Sequence, residues 1–349
     1  MDHRSCNCDH TRYNRSSAVN AAIEMEDRHR HILAVPIPTG EGMQAHGDMA
    51  PLHEGAPVQS SDSPTVPYFS APHLKLYLGG AEEILSQLPD NSVDCIVTSP
   101  PYYGQRDYGV PGQIGLEANP REYIDRLVDV FREATRILKP TGSLWVNLGD
   151  TYWSGKGRPH SPDPKQRHRR FLRPQDLSGP RPLCTPKQLL LIPHRFAIAL
   201  QDEGWIVRND NIWYKENPTP DPVDDRCASA HEYMFHLVRQ RRYYFDRDAV
   251  AVPSQGEKKT KAPSSVWRIR SAPTFKKHIA AFPEELVRIP ILATLPPGGT
   301  LLDPFCGSGT ALGYALHLGD NRNAIGVDIS QSALDEARAL VMAAPSTSN

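Results

Sequence analysis

Two loops, each lying directly after a short apolar run, constrain this chain more than any other feature. Residues 93–97 lead into Thr98-Ser99-Pro100-Pro101-Tyr102, and residues 300–302 lead into Asp303-Pro304-Phe305-Cys306-Gly307-Ser308-Gly309-Thr310. Apolar runs of this kind, bounded by turn residues, read as strands buried on both faces of a parallel sheet. In an open α/β sheet the loops after the carboxyl ends of the strands form the ligand crevice. Glycines there let the backbone approach a ligand where a β-carbon would clash. A proline-stiffened loop there holds polar atoms in fixed directions.

The rest of the chain alternates between strand and helix patterns. Residues 74–78 read as a strand, 81–88 as a short helix and Pro89-Asp90-Asn91 as a turn. Between 121 and 138, Ile124, Leu127, Val128, Phe131, Ala134 and Leu138 share one helical face, and Pro140 and Gly142 are expected to stop that helix. A strand is expected over 143–148, a helix over 187–201, and an antiparallel strand pair over 205–214 and 232–238. A helix beginning at Pro283, another over 310–318 and a strand over 323–327 ending at Asp328 complete the pattern. Such alternation predicts an α/β fold with a doubly wound, mainly parallel sheet and one late antiparallel strand pair.

Residues 1–70 are polar, proline-rich and without period, and read as a disordered tail. Residues 71–349 are expected to form one folded domain, with loop insertions over 153–182 and 251–272. The chain carries 39 Lys and Arg against 40 Asp and Glu, so attraction to a polyanion must come from local clusters. The first insertion supplies one, with Lys165, Arg167, His168, Arg169, Arg170 and Arg173; a second runs from Arg239 to Lys277. The six cysteines are scattered, which argues against a disulfide framework and for a reducing cytoplasm. Cys6, Cys8 and His10 lack a distant partner pair, and no metal site is expected. No apolar run approaches the ~20 residues of a membrane span, and the N-terminus shows no secretory signal.

The glycine loop at 303–310 opens a helix but carries no Lys after its glycines, so it is not a phosphate cradle of the ATPase type. It also departs from the dinucleotide fingerprint. A positively charged nucleoside without phosphates suits it better, with Asp303 near the positive charge and Asp328 placed to hold ribose hydroxyls. Together and in this order, the two loops resemble the β class of DNA amino-methyltransferases, over about residues 74–335. Tyr102-Tyr103-Gly104-Gln105-Arg106-Asp107-Tyr108, Asn147-Leu148-Gly149-Asp150 and the run from Arg226 through His231-Glu232-Tyr233 to Tyr243-Tyr244-Phe245-Asp246 look like further segments of that class. The catalytic loop precedes the cofactor loop, a permuted order that differs from protein N-methyltransferases. The chain has no Pro-Cys dipeptide, which C5-cytosine enzymes need.

The resemblance implies the S-adenosylmethionine-dependent methyltransferase fold, circularly permuted, and S-adenosyl-L-methionine as cofactor. It implies Ser99, Pro100, Pro101 and Tyr102 at the base-amine site. It places Thr98, Phe282, Asp303, Pro304, Phe305, Gly307, Gly309, Thr310 and Asp328 around the cofactor. The expected reaction is methylation of the exocyclic N4 amine of a flipped cytosine in double-stranded DNA, since the S-P-P-Y form is more usual in cytosine-N4 enzymes; adenine N6 is the alternative. A catalytically inactive DNA-binding homologue is a further reading. Arg106, Arg169, Arg170, Arg173 and Lys187 are candidate DNA contacts, and a cognate restriction endonuclease is a candidate partner. One position departs from the family: Gly80 stands where Asp is usual.

Overall fold

The computed structural model describes residues 66–153, 185–221, 223–254, 259–271 and 282–343. In chain order its elements are β1 (Phe69–Ala71), β2 (Leu74–Leu78), α1 (Ala81–Gln87), β3 (Val93–Thr98), α2 (Pro120–Ile137), β4 (Leu138–Leu148), α3 (Ile192–Asp202), β5 (Ile206–Lys215) and β6 (His231–Val238). There follow β7 (Val252–Pro253), β8 (Thr260–Lys261), β9 (Val266–Ile269), α4 (Glu284–Thr294), β10 (Thr300–Asp303), α5 (Thr310–His317), β11 (Asn323–Asp328) and α6 (Gln331–Met342).

Nine strands form one sheet in the order β1-β2-β11-β10-β3-β4-β6-β5-β9. The run from β2 to β4 is parallel, while β6 lies antiparallel between β4 and β5, as expected of the late pair. β7 and β8 pair only with each other. The sheet order explains where the site lies. The chain leaves β3 through α2 to β4 on one side, and leaves β10 through α5 to β11 on the other. β3 and β10 are neighbours, so their two loops flank the point where connections diverge, which is where sheets of this kind form their ligand crevice.

Side chains alternate along β3. Ile96 packs with Leu127, Phe131, Leu144 and Phe196 on one side, and Cys95 and Val97 with Trp145, Leu286, Ile291 and Leu312 on the other. Both faces are covered by helices, which is why the strand reads as a continuous apolar run. Helix α2 starts where Asn119 Oδ1 accepts from the backbone N–H of Arg121 and Glu122 at 3.0 and 3.1 Å, with Pro120 at the first helical position.

Three expectations need correction. Pro140 and Gly142 do not stop α2: the backbone turns extended at Leu138, and β4 begins there. Gly142 lies within that strand because a β-carbon would sit 2.7 Å from the Asp94 carbonyl oxygen. Helix α3 begins at Ile192 rather than 187, because Lys187 and Leu191 take left-handed conformations with φ of 69° and 55°. The segment 251–272 is not plain loop: it carries β7, β8 and β9, and β9 extends the main sheet parallel to β5. β1 and α6 were not anticipated. α6 buries only Leu334 and Ala337, too few to give a clear period. No described helix is long and apolar enough to cross a membrane. The tail up to residue 65 and nearly all of the basic insertion lie outside the described residues.

Candidate active site

Asp303 ends β10 with its side chain buried. One carboxyl oxygen, Oδ1, accepts from Thr98 Oγ1 at 2.6 Å and from the Phe305 backbone N–H at 3.1 Å. The other, Oδ2, is buried without a partner among the described residues. Burial pushes the Asp303 carboxyl up from 3.8 to about 7, against the two hydrogen bonds and with a smaller contribution from the Asp328 charge. An unpaired, desolvated carboxyl oxygen at a sheet crevice suits a ligand that brings positive charge.

Asp328 ends β11, half-buried, and clamps the glycine loop. Its Oδ2 accepts from the Gly307 backbone N–H at 2.9 Å and its Oδ1 from that of Ser330 at 2.8 Å. Burial raises its carboxyl as well. The Cys306 N–H donates to the Val327 carbonyl at 2.9 Å, fastening the loop to the same strand. Gly309, with φ of 79°, precedes α5; a β-carbon there would lie 2.8 Å from Ala337 Cβ of α6. Pro304 is buried, Phe305 and Phe282 are half-buried against the two halves of the core, and Thr310 opens α5. The residues just before Phe282 lie outside the described region. Gly80 precedes α1 with φ −67° and ψ 141°, a conformation open to any residue, so the backbone does not demand glycine there.

Across the crevice, one residue beyond Thr98, the loop after β3 carries Ser99. Its hydroxyl lies 3.4 Å from Asn147 Oδ1 and 3.5 Å from the Tyr102 hydroxyl. Tyr102 in turn lies 2.9 Å from Asn147 Oδ1 and 2.7 Å from Glu232 Oε2. Burial, followed by the Glu232 charge, holds the Tyr102 phenol well above its ordinary value, so it is a neutral hydroxyl. The ring lies close against Gly149, where a β-carbon would come within 2.8 Å of Tyr102 Cε2. The two proline carbonyls differ. That of Pro101 accepts from the Tyr123 hydroxyl of α2 at 2.8 Å, whereas that of Pro100 accepts no hydrogen bond from a described residue. The loop is thus anchored on one side, and among the described residues no donor occupies the backbone acceptor beside Ser99.

The structure therefore joins Thr98 with Asp303, and Ser99 with Tyr102, on either side of one peptide step. It adds Asn147, Glu232, Lys215, Gly149 and Tyr123, to which sequence reasoning gave no role. The signal for Glu232 was an acid at the start of an otherwise apolar run, 231–238. Of the basic candidates, Arg106 is half-buried and interacts with Tyr108. Lys187 is exposed and ion-paired with Asp225. Arg169, Arg170 and Arg173 lie outside the described residues.

Comparison with known proteins bears on the family and the fold. A family model described as DNA methylase, of the N6/N4 type, matches residues 93–339. The chain is 42% identical to the Type II methyltransferase M.Cfr9I of Citrobacter freundii over 265 residues, 75% of this chain and 85% of that protein. It is 41% identical to M.SmaI of Serratia marcescens over 259 residues, 74% and 87% of the two chains. In fold it is similar to the cytosine-N4-specific PvuII DNA methyltransferase, with a TM-score of 0.60 at 19% identity over 81% of this chain and 90% of that one. A putative DNA modification methylase of Thermus thermophilus, solved with S-adenosyl-L-methionine, aligns with a TM-score of 0.51 at 24% identity over 78% and 97%. A family match spanning both loops and the sheet between them, with relatives alike over most of their length, means that this chain belongs to the N6/N4 DNA methylase family.

Proposed function

We propose that this protein methylates the exocyclic N4 amine of cytosine in double-stranded DNA, using S-adenosyl-L-methionine. The observation that carries the reading is the pair of acceptors, Ser99 Oγ and the unengaged Pro100 carbonyl, one residue from the Thr98–Asp303 contact of the cofactor crevice. An exocyclic amine is conjugated with its ring and is a poor nucleophile. Two acceptors on its two hydrogens favour the tetrahedral amine and offset the positive charge that grows as it attacks.

The residues present fit the cofactor, because Asp303 Oδ2 is a buried acceptor lacking a partner and Gly307 and Gly309 keep side chains out of the loop. When bound, the cofactor supplies an electrophilic methyl group on a sulfonium. Asp303 meets its positive charge, and Asp328, at the end of the next strand, lies where ribose hydroxyls are held. Phe305 and Phe282 give apolar walls that exclude water. The base must leave the duplex to reach Ser99, and the Tyr102 ring offers a surface to stack on. Holding amine and methyl donor on adjacent strand ends supplies the proximity that such a transfer needs. Cytosine is favoured over adenine because Ser, rather than Asp or Asn, opens the loop. The basic insertion over 153–182 is the candidate for target recognition, and a cognate endonuclease the candidate partner.

The test is methyl transfer in vitro from methyl-labelled S-adenosyl-L-methionine to duplex DNA carrying many sequence contexts, with Ser99→Ala as control. Label enters DNA with the wild type, and the control falls by about 100-fold, the usual effect of losing one preorganised hydrogen-bonding group. Equal incorporation by the two proteins would overturn the assignment of Ser99.

A further inference from the structure

Glu232 has no part in the chemistry above, yet it contacts the base-amine loop directly. Among the described residues its carboxylate has two partners: the Tyr102 hydroxyl at 2.7 Å on Oε2, and the Lys215 ammonium on Oε1. Both ends of this ion pair are largely withdrawn from water, with side-chain exposures of 24% for Lys215 and 13% for Glu232. Lys215 is braced in turn by the Trp213 ring, whose centroid lies 4.8 Å from Nζ. Trp213 and Glu232 face each other across the β5–β6 pair, which fixes the geometry of the group. A desolvated ion pair gains little stability by itself, so another use is expected of it.

That use follows from counting hydrogens. Asn147 Nδ2 donates to the Tyr233 carbonyl at 3.0 Å, which turns Oδ1 toward Tyr102 and Ser99. The Tyr102 hydroxyl has one proton and two close acceptors, Glu232 Oε2 at 2.7 Å and Asn147 Oδ1 at 2.9 Å. The charged oxygen takes it, because leaving a carboxylate facing a lone pair costs more than leaving a neutral amide so. Ser99 then faces two acceptors inward, Asn147 Oδ1 at 3.4 Å and Tyr102 Oη at 3.5 Å. Its proton points inward, and only lone pairs remain toward the crevice. Catalytic hydrogen bonds of this length tighten when substrate is held.

We propose that Glu232, held by Lys215, is a positioning residue that sets the hydrogen-bond direction of Ser99 through Tyr102 and Asn147, so that the serine meets the substrate amine only as an acceptor. The inference rests on the amine-acceptor reading of Ser99 given above. It applies equally to a cytosine or an adenine amine.

Glu232→Gln inverts the polarity with little change of shape. Lys215 keeps the remaining oxygen, the new amide nitrogen donates to Tyr102, and Tyr102 must give its proton to Asn147. Ser99 is then left with fewer inward acceptors. The measurement is the single-turnover rate of methyl transfer, with affinities for cofactor and DNA measured separately. Glu232→Gln is expected to slow transfer by about tenfold or more while both affinities stay within about twofold. Tyr102→Phe keeps the ring and the Glu232–Lys215 pair but removes the relay, and is expected to lose a similar factor. The double variant is expected to be no slower than Tyr102→Phe alone, because the two act through one path. A wild-type rate in Tyr102→Phe would overturn the proposal, whether or not Glu232→Gln folds. So would a wild-type rate in folded Glu232→Gln, or losses that multiply in the double variant. Activity of the wild type stands or falls with the proposed function, whereas these ratios test the relay alone.

Discussion

The Asp303→Asn variant offers a thermodynamic test of the crevice that needs no substrate. In the folded chain burial raises the Asp303 carboxyl from 3.8 to about 7. The folded state therefore holds the proton more tightly than the unfolded one. The stability this group contributes is whole below pH 3.8 and is lost as the pH rises toward 7. At about 1.4 kcal/mol for each pH unit of displacement, roughly 2–3 kcal/mol disappears between pH 5 and pH 8. For a domain of this size that corresponds to roughly 5–10 °C in melting temperature. Asparagine cannot ionise, so its contribution is flat across that window. It does place an amide donor where Oδ2 is buried without a partner, at a constant cost of about 1–3 kcal/mol. Asp303→Asn should thus melt below wild type at pH 5 and draw level with it or pass it at pH 8. Asp328, Asp150 and Glu117 are also raised by burial, and both proteins carry them. The difference between the two proteins isolates Asp303. Thermal melts of both at half-unit steps from pH 5 to pH 8 would measure it. A difference that stays constant over that range would refute the reasoning that Asp303 is desolvated and unpaired.

Other consequences are more local. Gly149→Ala should drive a methyl group into the Tyr102 ring, 2.8 Å from Cε2, and lower the transfer rate by about tenfold or more with cofactor affinity intact, as read by single-turnover kinetics and calorimetry. Tyr123→Phe removes the bond to the Pro101 carbonyl and should cost about 1 kcal/mol in denaturant unfolding. Asn119→Ala deletes the cap of α2 and should also cost about 1 kcal/mol, this time without affecting the relative rate of transfer. Wild-type cofactor affinity should rise with pH below 7, because a cationic ligand favours ionised Asp303, and Asp303→Asn should bind more weakly with no such rise, by calorimetry.

The two loops were legible in the sequence because each chemistry-bearing residue sits at the end of its own strand. The apolar runs 93–97 and 300–302 are strands, and Asp303 and Asp328 end β10 and β11. The partners of the catalytic loop were not legible. Asn147 and Glu232 reach Tyr102, and Lys215 reaches Glu232, only because β6 pairs with β4 on one side and β5 on the other. Period-two patterning tells which face a residue occupies, but not which strand lies beside it. The late start of α3 was hidden because left-handed Lys187 and Leu191 are not glycine and carry no signal. β9 has four residues, too short a run to separate from loop, and its place at the sheet edge comes from pairing with β5.

The most direct test is nucleoside mass spectrometry of DNA from cells that express this chain, beside cells that express Ser99→Ala. N4-methylcytosine present with the wild type and absent with the variant is the result expected of the paired Ser99 and Pro100 acceptors. N6-methyladenine in its place would contradict the choice of base, and N4-methylcytosine undiminished in Ser99→Ala would contradict the mechanism.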